Sequence, residues 1–297
     1  MTGVQTCALP IYRLVLDRLA ARARETGFRS VLVTFAPHPL DVVNPAAAPL
    51  LLTTGDEKTE ALVESGLDYA VVVPFTRTLA GYGATQFVDD VLRRRFGMTE
   101  LLVGYDHGFG RGRTGDADVL KVLGATRGFH VTVVPPVAAS DGRPISSTAI
   151  RRAVAGGDLT RAADGLARHY SMSGVVVHGA GRGRLLGFRT LNLASPSSRK
   201  LLPPDGVYAI RAHTPSGTFD GMLNLGPRPT FGEMSTALEA HLFGAEGDWY
   251  GSRVRIDFVA RLRETRKFAD ASALMKQLAT DEVVAKVVIG RVRAGLQ

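Results

Sequence analysis

The sequence predicts two domains: an α/β domain built on a parallel sheet, followed by an all-β barrel that ends in a helix. A length of 297 residues suits two domains of ordinary size. Up to about residue 165, helical repeats alternate with short, almost wholly apolar runs, which is typical of βαβ units covered on both faces. After about residue 170, short strands follow one another without intervening helices, as in a small antiparallel barrel or sandwich.

The α/β domain is predicted to begin with a helix that ends at Gly27. This helix carries apolar residues at helical spacing, namely Leu16, Leu19, Ala20 and Ala23. The segments that follow alternate strand and helix, in the order SVLVTF, EKTEALVES, YAVVVPF, TQFVDDVLRRRF, ELLVG, DADVLKVLGATR and FHVTVV. Parallel sheets bind ligands at the carboxyl ends of their strands, so we expect a ligand near the loops after Phe35, Gly104 and Pro135.

The barrel is predicted from short runs, several of which alternate apolar and polar residues, separated by Gly, Pro, Asp and Ser turns. These runs are SGVVVHG, GVYAIRAHT, TFDGMLNLG, ALEAHLF and RVRIDFVARL. A helical repeat returns from Asp270 onward. We expect this last helix to face the barrel through its apolar residues, which are Leu274, Met275, Leu278, Val284, Val287 and Val288.

Bulk composition limits the partners and the compartment. Lys and Arg outnumber Asp and Glu by 36 to 28, which gives a net charge of +8. That charge is compatible with nucleic acid or with anionic metabolites and selects neither. No apolar run reaches the roughly 18–20 residues that a membrane span requires. Cys7 is the single cysteine and can form no internal disulfide, so the reducing cytoplasm is the expected compartment.

A segment rich in glycine and arginine, HGAGRGRLLGFRTLNL at 178–193, contains the strongest chemical signal of the second domain. Glycines let backbone amides approach a polyphosphate, and arginines add positive charge; these residues are Gly179, Gly181, Arg182, Gly183, Arg184 and Gly187. Thr190 and Asn192 follow directly and offer neutral oxygens that suit Mg²⁺ held between protein and nucleotide phosphates. The alternative is a tight turn followed by an ordinary strand.

Glu239 is a carboxylate within the otherwise apolar run ALEAHLF. Strand alternation places it opposite Leu238, and we expect it on the inner face of the barrel. A buried carboxylate is costly unless it has a task or a partner. Accepting the proton of an alcohol during phosphoryl transfer is such a task. The alternative is a surface glutamate on an edge strand.

Two segments of the first domain are candidates for ligand binding. GRPISSTAIRRAV at 142–154 places hydroxyl groups at a predicted helix start, where unpaired N–H groups and the helix dipole favour an anion. Its candidate residues are Ser146, Ser147, Thr148 and, about one turn later, Arg151. The alternative there is a well-capped helix without a ligand. VGYDHGFGRGRTGD at 103–116 follows a strand and contains Asp106 and His107; we interpret His107 as a loop hydrogen-bonding residue rather than a metal ligand.

The second domain resembles riboflavin kinase. GRGRLLGFRTLN is similar to the signature in which a Gly/Arg loop leads to Gly-Phe-Pro-Thr-x-Asn, and later blocks agree in order over 168–285: LPPDGVYA, NLGPRPTF, LEAHLF and LRETRKFADASALMKQLATD. The resemblance implies a riboflavin-kinase-type barrel with ATP and Mg²⁺ near Thr190 and Asn192. It further implies that Glu239 is the base for the ribityl hydroxyl, and that Arg263 and Phe268 contact the flavin. Arg189 replaces the proline of the signature, so we expect weaker or slower kinase activity rather than none.

The first domain, from about Tyr12 to residue 165, resembles the FMN adenylyltransferase of the same bifunctional family. TFAPHP, in which Ala36 replaces an aspartate, and ISSTAIR carry the resemblance. It implies a nucleotidyltransferase-type, Rossmann-like α/β domain that joins FMN and ATP into FAD and pyrophosphate. The implied nucleotide-binding residues are Asp106, Ser146, Ser147, Thr148 and Arg151.

One motif of that family is absent from this sequence. The family opens with a strand and a His-x-Gly-His turn, whereas CALPIY stands there in this chain and no histidine precedes His38. We interpret this as truncation or a mis-assembled start. In the family, the imidazoles of this turn stabilise charge on the phosphates of the transferred nucleotide. Because such electrostatic stabilisation usually contributes much of the rate, we expect the chain to make FMN but little FAD.

These interpretations give an unmatched leader at 1–12, an adenylyltransferase-like domain at 13–167 and a riboflavin kinase domain at 168–297. The expected partners are riboflavin, FMN and ATP, with Mg²⁺, and neither nucleic acid nor a membrane. Two alternatives stay open. The first domain would adenylylate a different mononucleotide-like substrate, or the chain would be a non-catalytic flavin- or RNA-binding regulator derived from this enzyme.

Overall fold

The computed structural model describes residues 10–105, 108–135, 142, 145–179, 188–194, 196–230 and 233–295. The chain divides into two compact units, Met1–Ser147 and Thr148–Gln297. The second unit therefore begins before the predicted domain boundary between residues 167 and 168, and it includes the two helices that precede the barrel.

The first unit alternates helices and strands in the predicted order. Its helices are α1 (Pro10–Thr26), α2 (Pro39–Val43), α3 (Gly55–Val63), α4 (Arg77–Ala80), α5 (Ala84–Gln86), which continues as a π-type helix over Phe87–Arg93, and α6 (Ala117–Arg127). Its strands are β1 (Val31–Ala36), β2 (Tyr69–Pro74), β3 (Glu100–Gly104) and β4 (His130–Val134).

Local sequence signals set the ends of α6. The Asp116 carboxylate accepts hydrogen bonds from the backbone N–H groups of Asp118 and Val119, at 3.1 and 2.9 Å, and so begins the helix. Gly128, at φ +73°, ends it in the left-handed conformation that glycine adopts without strain.

The strands of the first unit pair in parallel, as predicted. β1 pairs with β2 starting from Val31 opposite Tyr69, and β3 pairs with β4 starting from Glu100 opposite His130. Within the described residues these form two separate pairs rather than one continuous sheet. A cavity of about 360 Å³, lined by residues of α1, β1 and β3, lies between the two pairs.

Aromatic rings form the centre of the core in the first unit. Phe87 meets Phe35 and Phe109 edge to face, with ring centroids 6.3 and 5.6 Å apart. The helical face predicted over 85–96 is buried through Phe87, Val88, Val91 and Leu92. The apolar positions thus specify which side of this helix covers the strands.

The second unit contains the predicted antiparallel barrel, which closes with six strands. Its strands are β5 (Tyr170–Val177), β6 (Leu191–Leu193), β7 (Gly206–Thr214), β8 (Gly217–Thr230), β9 (Glu233–Leu242) and β10 (Arg253–Arg263), in the closed order β10-β5-β6-β9-β8-β7. Helices α7 (Ser147–Ala155) and α8 (Leu159–Leu166) precede the barrel, and α9 (Ala271–Arg293) follows it.

Apolar side chains that meet across neighbouring strands fill the barrel. Leu225 lies opposite Leu238 and Leu223 lies opposite Ala240, and none of the four is more than 1% exposed. This fixes which positions of β8 and β9 point inward. The alternate positions of the same strands point outward.

Helix α9 packs on the barrel through only part of the predicted face, because three of the six predicted residues are exposed. Ala285 and Ile289, with Val288 beside them, pack against Ala209 and Val259. Met275, Val284 and Val287 are 40%, 43% and 49% exposed, so their predicted place against the barrel is wrong. Apolar residues lie on more than one face of this helix, and its periodicity alone did not select the packed one. No helix in the described part of the chain is long and apolar enough to cross a membrane.

Candidate functional site

Polar side chains of three adjacent strands meet on the barrel surface. Asn192 of β6 lies directly opposite Glu239 of β9, and Asn224 of β8 lies opposite the same Glu239. Directly opposed residues share one face of a sheet, with Cβ atoms about 4.5–5.5 Å apart. Asn192, Glu239 and Asn224 therefore form a continuous row, called the polar row below.

Asn224 is the member of the polar row that sequence reasoning missed. Its signal was present, because it stands between the apolar residues Leu223 and Leu225 as Glu239 stands between Leu238 and Ala240. What was lacking was the strand register. Register depends on pairing between distant segments and cannot be read from either strand alone.

Glu239 lies on the outer face of the barrel, so the expectation of an inner-face carboxylate is wrong. Leu238 and Ala240, its neighbours in β9, point inward and are fully buried, and Glu239 alternates with them. It is half-buried rather than enclosed. The outer position avoids the cost of enclosing a charge in an apolar interior.

Gly179 leaves room for the Asn192 side chain. Asn192 is 9% exposed, unusually low for an asparagine on the outer face. A Cβ atom built on Gly179 would overlap the side-chain amide of Asn192. The amide thus rests where a side chain of residue 179 would otherwise stand, and glycine is required there for close approach.

Thr190 lies beside a cavity next to the polar row. The cavity has a volume of about 250 Å³ and lies between the end of β9, the loop that follows it and the segment before β6. Its walls include Arg189, Thr190, Leu191, His241, Asp248, Trp249 and Tyr250. A partly apolar cavity lined by a hydroxyl residue is an arrangement that can hold a small molecule.

The donor set around Asn192 suits a hard cation bound together with an anionic ligand. Thr190 and Asn192 offer a hydroxyl and an amide oxygen, both neutral, and the amide lies close to Gly179. Among the described residues, no group of three His, Cys, Asp or Glu side chains could hold a metal ion. A cation at Thr190 and Asn192 would therefore take its remaining oxygen ligands from phosphates or water, as Mg²⁺ usually does.

Several predicted phosphate-binding residues lie outside the described residues. They are Gly181, Arg182, Gly183, Arg184 and Gly187 of the Gly/Arg loop, and Asp106 of the first unit. His107, interpreted as a loop hydrogen-bonding residue, lies outside the described residues as well. Gly179 is the predicted loop glycine that the structure describes. The roles of the other residues stay predictions.

Arg263, a predicted flavin contact, forms a buried ion pair with α9. Its Nε lies 3.0 Å from both carboxylate oxygens of Asp281, and its Nη2 donates to Asp281 Oδ2 at 2.6 Å. Gln277 Nε2 donates to Asp281 Oδ1 at 2.6 Å. Phe268 is the second predicted flavin contact. The ring centroid of Phe268 lies 5.8 Å from the Arg263 guanidinium and 5.0 Å from the Arg266 guanidinium. This network ties the loop before α9 to the helix.

We expect Asp281→Ala to lower the free energy of unfolding of the second unit by about 3–5 kcal/mol, because it leaves the Arg263 guanidinium without its carboxylate. Urea unfolding followed by fluorescence of Trp249, the single tryptophan, would measure this. Glu282→Ala is the matched control: Glu282 pairs with Lys286 at 2.6 Å on the exposed side of α9, where such pairs contribute about 0–1 kcal/mol. Equal losses in the two variants would contradict the prediction.

The hydroxyl residues predicted to bind phosphate lie at the start of α7. Ser147 is its first residue, Thr148 follows, and Ser146 directly precedes it. Arg151, one turn further, is largely withdrawn from solvent. Burial lowers the pKa of its guanidinium, and the neighbouring Tyr170 acts in the opposite direction. An arginine remains charged despite such a shift, so α7 presents hydroxyls, N–H groups and a positive charge within two turns.

Lys58 is a second residue that sequence reasoning missed. Its ammonium donates hydrogen bonds to Thr34 Oγ1 at 3.1 Å and to the Phe35 carbonyl at 3.2 Å, at the carboxyl end of β1. That edge of a parallel sheet is where ligands bind. The lysine comes from α3, so its place beside the TFAPHP segment appears only in the folded chain.

Comparison with known proteins finds a family match for each part of the chain. One family model, described as riboflavin kinase, matches residues 166–289, and another, described as FAD synthetase, matches residues 12–149. A bifunctional riboflavin kinase/FMN adenylyltransferase from Escherichia coli (strain K12) is 34% identical over 280 residues, covering 94% of this chain and 88% of that protein. A protein of the same description from Pseudomonas fluorescens is 34% identical over 278 residues, covering 93% of this chain and 88% of that protein.

A solved structure shares the fold of nearly the whole chain. It is titled as a macrolide-efflux protein from Streptococcus pneumoniae, and it matches with a TM-score of 0.82 at 27% identity over 96% of this chain and 91% of that chain. Both family models and the relatives agree on two enzymatic domains in one polypeptide. The chain belongs to the bifunctional riboflavin kinase/FMN adenylyltransferase family.

Proposed function

We propose that this chain phosphorylates riboflavin to FMN with ATP and Mg²⁺ in the second unit, and that it converts FMN to FAD only slowly in the first. The observation that carries the kinase proposal is the polar row, in which Asn192 and Glu239 face each other across β6 and β9. A general base and a metal-binding oxygen must lie close together for phosphoryl transfer to an alcohol. We place the reaction in the cytoplasm, where the reduced state of Cys7 is expected.

Glu239 is proposed as the general base. Its carboxylate accepts the proton of the terminal ribityl hydroxyl while that oxygen forms a bond to the γ-phosphorus of ATP, and the bond from phosphorus to the β,γ-bridging oxygen breaks to release ADP. Asn224, beside Glu239 in the row, orients the hydroxyl. Magnesium bound at Thr190 and Asn192 would neutralise charge on the phosphates. Arg263 holds the loop that presents Phe268 to the flavin ring.

The nucleotide binding needed for FMN adenylylation is proposed to be retained. Ser146, Ser147, Thr148 and Arg151 at the start of α7 would hold phosphate, together with Asp106. The 297-residue chain has no histidine before His38 to stabilise the charge that develops on the transferred nucleotide. We therefore propose that FMN adenylylation is impaired.

Incubation with riboflavin, ATP and Mg²⁺, followed by chromatographic separation of riboflavin, FMN and FAD, tests the proposal. We expect FMN to accumulate. A chain that binds riboflavin without forming FMN would support the non-catalytic regulator instead. Transfer of AMP to a mononucleotide other than FMN would support the second enzymatic alternative.

We expect Gly179→Ala to reduce FMN formation by about ten- to a hundredfold, because a Cβ would push the Asn192 amide out of the polar row and a shift of about 1 Å can cost that much. Initial rates of FMN formation would measure the loss. Gly290→Ala in α9 is the matched control, since a Cβ there meets no atom within 4 Å. An unchanged rate for Gly179→Ala would show that Asn192 tolerates displacement.

We expect Arg189→Pro to raise FMN turnover, because proline fixes φ in the turn that presents Thr190. Its side chain is exposed, and its carbonyl, which proline retains, makes the contact with β9. The ratio of kcat values between variant and parent measures the effect. A sharp fall in turnover would show that the Arg189 guanidinium takes part in phosphate binding and is no defect.

A further inference from the structure

His241 lies on β9 two residues after Glu239 and therefore on the same outer face of the barrel. Pairing of β6 with β9 begins at Leu191, opposite Ala240. Continued by one residue, this register would bring Thr190 opposite His241. Thr190, whose hydroxyl is proposed to bind the metal, is thus the residue directly before the paired part of β6.

A side-chain hydrogen bond ties the chain at this point. His241 Nδ1 lies 2.7 Å from the carbonyl oxygen of Arg189, the residue before Thr190. A carbonyl oxygen can only accept, so Nδ1 carries the proton and donates. Neutral His241 is therefore assigned the Nδ1–H tautomer.

Aromatic contacts fix the orientation of the His241 ring. Phe188 meets it edge to face with centroids 5.2 Å apart, and Phe243 does so at 5.8 Å. His241, Arg189 and Thr190 all line the cavity of about 250 Å³. The ring thus connects the end of β9 to both the backbone and the aromatic side chain of the turn 188–190.

We propose that His241 is a positioning residue, which holds the turn 188–190 against β9 so that the Thr190 hydroxyl keeps a fixed place beside Asn192. This role rests on the proposed kinase function. The hydrogen bond from the His241 imidazole to the Arg189 carbonyl takes the place of the backbone pairing between β6 and β9, which does not extend beyond Leu191. Loss of the Nδ1–H donor would release the turn while leaving Glu239 and the flavin loop before α9 unchanged.

Two substitutions at His241 distinguish the effect of the Nδ1 hydrogen-bond donor from the effect of the imidazole ring. The side-chain amide nitrogen of asparagine reaches about as far as Nδ1, whereas that of glutamine reaches about as far as Nε2. We expect His241→Gln to raise the half-saturating Mg²⁺ concentration and the KM for ATP by about five- to tenfold, the effect of one hydrogen bond, with little change in the KM for riboflavin. His241→Asn is expected to restore both constants.

A second measurement does not depend on activity. The ¹⁵N and ¹H signals of the His241 ring, recorded by NMR without substrates, report which ring nitrogen carries the proton. We expect the proton on Nδ1. A proton on Nε2 alone would overturn the proposal, and so would equal Mg²⁺ and ATP constants for parent, Asn and Gln variants. A parent chain that forms no FMN would refute the proposed function, while the NMR result would still decide the bond.

Discussion

Glu239→Gln is expected to lower kcat for FMN formation by about 10²–10⁴-fold, the usual contribution of a general base. Glutamine keeps the size and polarity of the side chain opposite Asn192 and Asn224 but cannot accept the proton of the attacking hydroxyl. The KM values for riboflavin and ATP are expected to stay close to those of the parent. Initial rates at saturating substrates, with chromatographic detection of FMN, measure the change.

Glu282→Gln provides the control for this experiment, since that carboxylate lies on α9 and pairs with Lys286. It is expected to react at the parent rate. A Glu239→Gln variant that kept more than about a tenth of the parent kcat would remove Glu239 as the base. Asn192 and Asn224 of the polar row would then contribute only by orienting the substrates.

FAD formation is expected to be at least about 10²–10³-fold slower than the FMN adenylylation of family members that carry the His-x-Gly-His turn, the typical cost of losing one group that stabilises developing charge. The chain contains no histidine before His38. The described strands of the first unit form two separate pairs, and residues of β1 and β3 line a cavity of about 360 Å³.

This expectation is best tested with FMN as the starting substrate, because the rate of FAD formation then does not depend on the kinase step. Pyrophosphate release and FAD formation are measured with ATP and Mg²⁺, and FMN formation from riboflavin in the same preparation serves as the control for folded protein. FAD production as fast as that of the relative from Escherichia coli would contradict the proposed impairment. It would show that other residues of the α/β unit stabilise the transferred nucleotide.

The amino-acid sequence by itself determined the order of elements and the family. Periods of 3.6 and 2 residues report burial locally, so helix and strand placement along Val31–Val134 and the short strands of the barrel could be read without the fold. The motifs around Thr190, Asn192 and Glu239 were equally local. Each consists of a few neighbouring residues whose types match one chemistry.

Tertiary structure decided what those residues face. Alternation placed Glu239 opposite Leu238, but closure of the barrel decided which of the two points inward. The pairing of Glu239 with Asn192 and Asn224 depends on register between strands that are far apart in the chain. Registers of this kind are set by packing of the whole barrel, which no local window of sequence contains.

The same reason explains the packed face of α9 and the contact of His241. Asp281 reached the barrel side of α9 because Arg263 of β10 pairs with it there, although a carboxylate would not be predicted on a buried face. His241 meets the Arg189 carbonyl across 52 positions of the chain. Side-chain partners brought together only by folding thus determine the precise geometry of a site whose chemistry the sequence had already indicated.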